Sequence, residues 1–427
     1  MRWLPTRARL KSALLGSRRP VGRNLLIVGS LALAACHPPI QVGSTTADSA
    51  WVGTWATSLQ IVEPANMPPA PGLSANTLRQ VVHVSLGGKS IRVRFSNVFG
   101  DAPLTIAAAA IAPSLGESRI DSAGQRTLSF GGKASVLLAA GRDTISDVVA
   151  YDLAPLSNVA ITARFGNVPA VVTGHPGSRT TSYIQPGDAI AAPSLSSAVP
   201  TVHWYVIAGI DVAGAPSSAA VVTLGNSITD GRGSGTDRQN RWPDELARRL
   251  QADPATRHVA VLNAGIGGNC VLRSCLGPSA LARLERDVLA PPAARWVLVL
   301  EGVNDIGQAR SPADADSIAR GLTEAYRQIV QRAHARGMLA YGATILPFGG
   351  SFYDAPHREQ ARMTVNRWIR ESGTFDAVVD LDAAMRDPAQ PSHLAPGADG
   401  GDHLHPNEAG YRMMAAAIDL ALFRRTR

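Results

Sequence analysis

The sequence predicts two folded regions: an all-β sandwich or jelly roll over residues 51–213, then an α/β domain with a parallel sheet over residues 219–427. Three observations carry this. Between residue 51 and about 213 apolar and polar residues alternate with period two, the mark of half-buried strands. From Ala220 onward, short apolar runs alternate with stretches of helical period, which implies right-handed crossovers and a parallel sheet covered on both faces. Between the two regions stands Ala213-Gly-Ala-Pro-Ser-Ser218, a short linker.

The chain has 427 residues, 45% hydrophobic and 17% charged, an ordinary globular composition. Its formal charge of +8 is not spread along it. Residues 1–35 hold Arg2, Arg7, Arg9, Lys11, Arg18, Arg19 and Arg23 and no acid; without those seven, 34 basic residues stand against 33 acidic ones. The basicity belongs to the leader, and no nucleic-acid partner is implied.

That leader reads as a signal peptide. A basic start precedes the apolar run Leu25–Ala35, too short to span a bilayer and long enough for a signal core. It ends in Leu33-Ala34-Ala35-Cys36, which resembles a bacterial lipobox. Cleavage there would leave a lipidated Cys36 and a membrane anchor on an exported protein. Plain signal-peptide cleavage near the alanines is the alternative. His37 after the cysteine, where an aspartate would retain the protein at the inner membrane, points to the outer membrane. Residues 36–50, rich in Pro, Ser, Thr and Gly, read as a tether.

In the β region, Val82, Val84 and Leu86 alternate with polar residues, Gly87-Gly88 follows, and Ile91, Val93 and Phe95 alternate again. That pattern predicts a hairpin. Val159, Ile161, Ala163 and Phe165 mark another strand, and Trp204–Val212 is expected to be the last.

In the second region strands are expected at 220–224, 259–263, 296–300, 339–345 and 377–381. Helices are expected at 242–251, 279–289, 312–336, about 358–371 and about 407–423. Four polar stretches lie beside these elements. Gly225-Asn226-Ser227 ends the first strand; Asn263-Ala-Gly-Ile-Gly-Gly268 ends the second; Gly302-Val-Asn304-Asp305 follows the third; Asp402-His-Leu-His405 precedes the last helix. In α/β folds ligands bind outside the carboxyl ends of the strands, so all four can meet at one edge of the sheet.

Taken together, the four stretches resemble the blocks of the SGNH (GDSL) hydrolases, with Ser227, Gly268, Asn304 and His405 at the positions that name the family. The resemblance runs from Val221 to the C-terminus. It implies a flavodoxin-like α/β/α fold and a serine esterase or lipase without cofactor or metal. Ser227 would be the nucleophile, His405 its base and Asp402 the carboxylate that orients the imidazole. The oxyanion hole would comprise the N–H groups of Ser227 and Gly268 and the side-chain amide of Asn304. His403 is the rival base and has no counterpart in the family. The first block departs from the usual Gly-Asp-Ser by carrying Asn226, which keeps the shape and loses the charge.

The β-rich N-terminal region is similar to that of secreted esterases found with xylan-degrading enzymes. That likeness implies short acyl groups, among them acetyl groups on plant polysaccharide. A broad aryl or alkyl esterase or lipase of the same mechanism is an equal reading, and acyl transfer to another alcohol is a third. A glycan-binding protein with a degenerate hydrolase domain is the competing class. An aromatic content of 5% and a complete catalytic set count against it. Cys270 and Cys275, five residues apart beside Gly268, are expected to form a disulfide in an oxidising compartment.

Overall fold

The computed structural model describes residues 51–424. The expected leader, Cys36 and the tether lie outside the described residues.

The N-terminal strands form two main antiparallel sheets. One is built on Trp51–Ala56, Ile207–Ala213 and Gly88–Ser96. The other is built on Ser182–Pro186, Asn76–His83, Asn158–Phe165 and Leu104–Pro113. The inward residues of both, such as Val52, Val93 and Phe95 on one and Leu78, Val82, Ile106 and Ile161 on the other, belong to a single buried cluster. Burying alternate residues of each strand is what the period-two pattern encodes.

The expected hairpin does not form. Asn76–His83 and Gly88–Ser96 lie in different sheets. The segment between them is bound elsewhere: Val84 N–H donates to Ser157 O at 3.0 Å and Ser85 N–H to Thr54 O at 3.0 Å. Both strands show the alternation because both inner faces line the same core. The pattern specifies the buried face and leaves the partner strand open.

The expected last strand is also broken. Val206 takes φ +65° between Trp204–Tyr205, which pairs with Thr173–His175, and Ile207–Ala213. Two contacts hold the break: Tyr205 N–H to Gln80 Oε1 at 2.6 Å and Trp204 indole N–H to Val81 O at 3.0 Å.

The second region is a five-stranded parallel sheet. Its strands, in chain order, are Ala219–Gly225, Val259–Gly265, Ala294–Leu300, Leu339–Ala343 and Ala377–Val379. Their spatial order is second, first, third, fourth, fifth, the flavodoxin-like arrangement. The first strand is central and buried along its whole length. Helices Trp242–Ala252, Pro312–Ala335 and Pro356–Glu371 stand where the periodicity places them. The last helix is shorter than expected and ends at Ala416, with a 3-10 turn at Leu420–Arg424. Arg249, from a neighbouring helix, donates to the carbonyls of Ala415 and Ile418, so the final turn is capped by a long-range cation. Three short helical turns were not expected: Ser227–Asp230, Val303–Gly307 and Leu381–Met385.

The β region packs along the edge of this sheet. Val259–Gly265 is the edge strand, and Val261 N–H donates to Ser85 Oγ at 3.0 Å. Gly53 N–H donates to Pro292 O at 3.2 Å. A sheet edge left open would template association with other chains; here it is covered. Among the described residues no helix is long and apolar enough to cross a membrane.

Candidate active site

The site lies where the strand order reverses, at the carboxyl ends of the first and third strands. The first strand stops at Gly225 because Asn226 turns into a helical turn and caps it, its Oδ1 accepting from Ile228 N–H at 3.1 Å. Ser227 is therefore the first helical residue, raised above the sheet end.

Ser227 Oγ lies 2.9 Å from His405 Nε2. His405 Nδ1 lies 2.7 Å from Asp402 Oδ2, and His405 N–H donates to Asp402 Oδ1 at 2.9 Å. The carboxylate thus grips both the ring and the backbone of the histidine, which fixes the tautomer with a free Nε2 facing the serine. Burial pushes Asp402 up, but the His405 backbone and ring and the Leu404 N–H outweigh it and hold the carboxyl below its usual range. Burial lowers the His405 imidazole; Asp402 opposes that, and the charges of Arg232 and Arg179 add to the lowering. His405 is therefore unprotonated, and ready to accept a proton, at neutral pH. His403 turns the other way, its Nδ1 2.5 Å from Asp399 Oδ2.

Gly268 adopts φ +69°, and a Cβ there would stand 2.8 Å from Leu276, so only glycine fits this loop position without strain. Among the described residues neither the Ser227 nor the Gly268 backbone N–H is engaged elsewhere. Asn304 Nδ2 donates one hydrogen to Asn269 O at 2.7 Å, and its Oδ1 accepts from the Tyr353 hydroxyl at 3.0 Å. Those two contacts define which end of the amide is nitrogen and leave its second N–H hydrogen to serve the site.

Further residues, of which sequence reasoning did not single out Arg283, Glu301 or Tyr353, hold the rest in place. Arg283, fully buried, donates to Gly225 O at 3.0 Å, Ala264 O at 2.7 Å and Asn269 Oδ1 at 3.0 Å, joining the ends of two strands to the Gly268 loop. Asp305 accepts from Val271 and Leu272 N–H at 2.9 and 3.0 Å, bracing the same loop. Cys270 and Cys275 are joined in a disulfide there. Asn226 Nδ2 donates to Glu301 Oε2 at 3.3 Å; burial pushes the Glu301 carboxyl up to about 8, against the pull of Arg283. Arg283, Glu301 and Tyr353 carry no local signal, since each acts through partners distant in sequence.

A serine, histidine and aspartate in this geometry can perform acyl transfer. Residues 223–413 match the GDSL-like lipase/acylhydrolase family. This domain belongs to the SGNH/GDSL hydrolase superfamily. It is an ester hydrolase fold by that membership, and no curated protein matches the chain. Solved structures similar to the hydrolase domain include an acetylxylan esterase from Geobacillus stearothermophilus, 22% identical, covering 50% of this chain and 96% of that one at a TM-score of 0.36. A GDSL-like lipase from Bacteroides thetaiotaomicron is 21% identical, with coverage of 48% and 87% and a TM-score of 0.33. An α/β hydrolase from a Lake Arreo metagenome is 20% identical, with coverage of 47% and 94% and a TM-score of 0.34. Among the described residues of the hydrolase and its β region, no cluster of three or more His, Cys, Asp or Glu is arranged to hold a metal ion.

Proposed function

We propose that this protein is an exported, lipid-anchored serine esterase that cleaves carboxylic esters of short acyl groups through an acyl-enzyme. The observation that carries the reading is the chain of contacts from Ser227 Oγ to His405 Nε2 at 2.9 Å and from His405 Nδ1 to Asp402 at 2.7 Å.

In the reaction, Ser227 Oγ attacks the ester carbonyl carbon as its proton passes to His405 Nε2. The carbonyl π electrons move to oxygen, which the N–H groups of Ser227 and Gly268 and the Asn304 amide receive. The tetrahedral adduct collapses, the C–O bond to the alcohol breaks, and the alcohol leaves with the proton from His405. Water then repeats the sequence on the acyl-enzyme, releasing the acid and restoring Ser227.

Support for a small acyl group comes from the crowding of the site: Ser227 is 7% exposed, and Asn304 and His405 5% each. Acetyl groups on plant polysaccharide are the natural substrate class we propose. Export and anchoring rest on the leader and Cys36.

The test compares residues 37–427 of wild type with Ser227→Ala on p-nitrophenyl acetate, longer acyl esters and acetylated xylan. Loss of about 10³-fold or more in kcat/KM is expected. Equal turnover by both proteins would remove Ser227 from the mechanism.

A further inference from the structure

Arg179 stands in the loop between the strands Thr173–His175 and Ser182–Pro186. Its Nε is buried without a hydrogen-bond partner. Among the described residues no carboxylate pairs with its guanidinium. A cation partly withdrawn from water and left unpaired is costly, and proteins rarely retain one without use.

The backbone adds to that cost. Arg179 has φ +50°, in the left-handed region that a residue with a Cβ seldom occupies. Strain of this kind persists only where the surroundings impose it, and it concentrates at ligand sites. Here they do impose it. Asp237 N–H donates to Arg179 O at 2.9 Å. The Asp237 carboxylate accepts from Thr181 N–H at 2.6 Å and from its hydroxyl at 2.7 Å. Gln239 Nε2 donates to Thr180 Oγ1 at 3.1 Å. The Asp237 carboxylate is thereby committed to the loop and does not neutralise Arg179.

This junction adjoins the site. The 231–241 segment that staples the loop also carries Arg232, whose Nε is 4.0 Å from Asp402 Oδ2 and whose side chain is 61% exposed. Arg232 O accepts from the hydroxyl of Tyr411, and the Arg179 charge reaches both Tyr411 and His405. The Arg179 loop itself lies against the turn that begins at Ser227, since a Cβ on Gly177, two residues before Arg179, would stand 1.9 Å from Asp230 Oδ2; Asp402, the carboxylate beside Arg232, is already bound to His405.

We propose that Arg179, assisted by Arg232, is an anion-recognition element of this site, and that the preferred ester carries a carboxylate or comparable oxyanion close to the scissile bond. The inference rests on the esterase reading and narrows it. A guanidinium offers a planar pair of donors that matches a carboxylate. The charge can lie on the alcohol side, as in an acetylated polysaccharide that bears uronic acids, or on the acyl side, as in a half-ester of a dicarboxylic acid.

The experiment uses three esters with residues 37–427: neutral p-nitrophenyl acetate, p-carboxyphenyl acetate with its charge on the alcohol side, and mono-p-nitrophenyl adipate with its charge on the acyl side. Arg179→Gln is expected to lower kcat/KM on one charged ester about ten- to a hundredfold further than on the neutral one, as for loss of a charge-assisted hydrogen bond. The affected ester identifies the side. Added salt should erode the same preference in wild type and leave the variant's ratio flat. An equal fall on all three esters, or a wild type indifferent to charge, overturns the proposal while leaving the esterase reading intact. If wild type hydrolyses none of them, or Ser227→Ala matches it, the esterase reading fails. Calorimetric titration of adipate then decides the anion site alone: binding to wild type that Arg179→Gln abolishes supports it, and no binding to wild type overturns it.

Discussion

His175 Nε2 of the β region meets Asp230 Oδ1 of the helical turn Ser227–Asp230 at 2.8 Å, and both side chains are buried. His175 Nδ1 faces Ser58 O at 2.7 Å, so the ring is held from both sides, with the Trp204 indole stacked on it at 5.7 Å. A Cβ on Gly177 would stand 1.9 Å from Asp230 Oδ2, so the loop after His175 closes directly over this aspartate. The β region thereby clamps the turn whose first residue is Ser227. His175→Ala should destabilise the protein by about 1–3 kcal/mol, the cost of leaving a buried polar group unpaired. It should also lower kcat more than it raises KM, because Ser227 loses its placement. Denaturant unfolding together with steady-state kinetics checks both; unchanged kcat in a destabilised protein would make His175 purely structural.

On the proposed mechanism, in which His405 is the base, it should work below the ordinary imidazole range. Proton acceptance requires neutral His405, and burial followed by the Arg232 and Arg179 charges lowers its protonation range. The acid limb of kcat/KM is therefore expected below about pH 6.5. Arg232→Ala removes one lowering charge and should move the limb to higher pH. A pH–rate profile on p-nitrophenyl acetate reads the shift; movement to lower pH would contradict the assignment.

Asn226→Asp restores the family's usual Gly-Asp-Ser and should be harmful here. The new carboxylate would replace the amide that donates to Glu301 Oε2 at 3.3 Å, adding a like charge to a buried acid. Glu301 is pushed up to about 8 in the folded protein, far above its unfolded value. Stability linked to its bound proton is full at acid pH and is lost as pH rises through about 8. The Asn226→Asp variant should thus lose stability, by about 1–3 kcal/mol relative to wild type, and lose more at about pH 8 than at about pH 5. Melting curves at the two pH values test the sign.

If Asn304 donates to the oxyanion as proposed, Tyr353→Phe should weaken that donor without removing it. The hydroxyl orients Asn304 by donating to its Oδ1 at 3.0 Å. Loss of kcat by about tenfold is expected, against about 10²–10³ for Asn304→Ala. If Tyr353→Phe left kcat unchanged, the Asn269 contact alone would suffice to hold the amide.

The parallel sheet was legible because each strand is a local apolar run and each crossover a local helical period. The four polar blocks were legible for a related reason: each is contiguous, and each follows a strand or precedes a helix. Arg283 and Tyr353 were not legible, since their contacts to Gly225, Ala264 and Asn304 span from 19 to 58 residues of chain. The misread Val82–Phe95 hairpin fails for the same cause. Alternation reports burial of a face, and two strands that share a core look alike whether or not they pair.

The sequence by itself determined the order of strands and helices, the positions of Ser227, Gly268, Asn304 and His405 at their ends, and the division into β and α/β regions. These follow from periodicity and short motifs, which depend only on neighbours in the chain. Tertiary structure alone decided that His175 would reach Asp230, that Glu301 would lie beside Asn226, and that Arg179 Nε would be buried without a hydrogen-bond partner. Each of those depends on which distant groups are buried together, and burial is what turns an ordinary side chain into a clamp, a raised acid or a cation awaiting an anion.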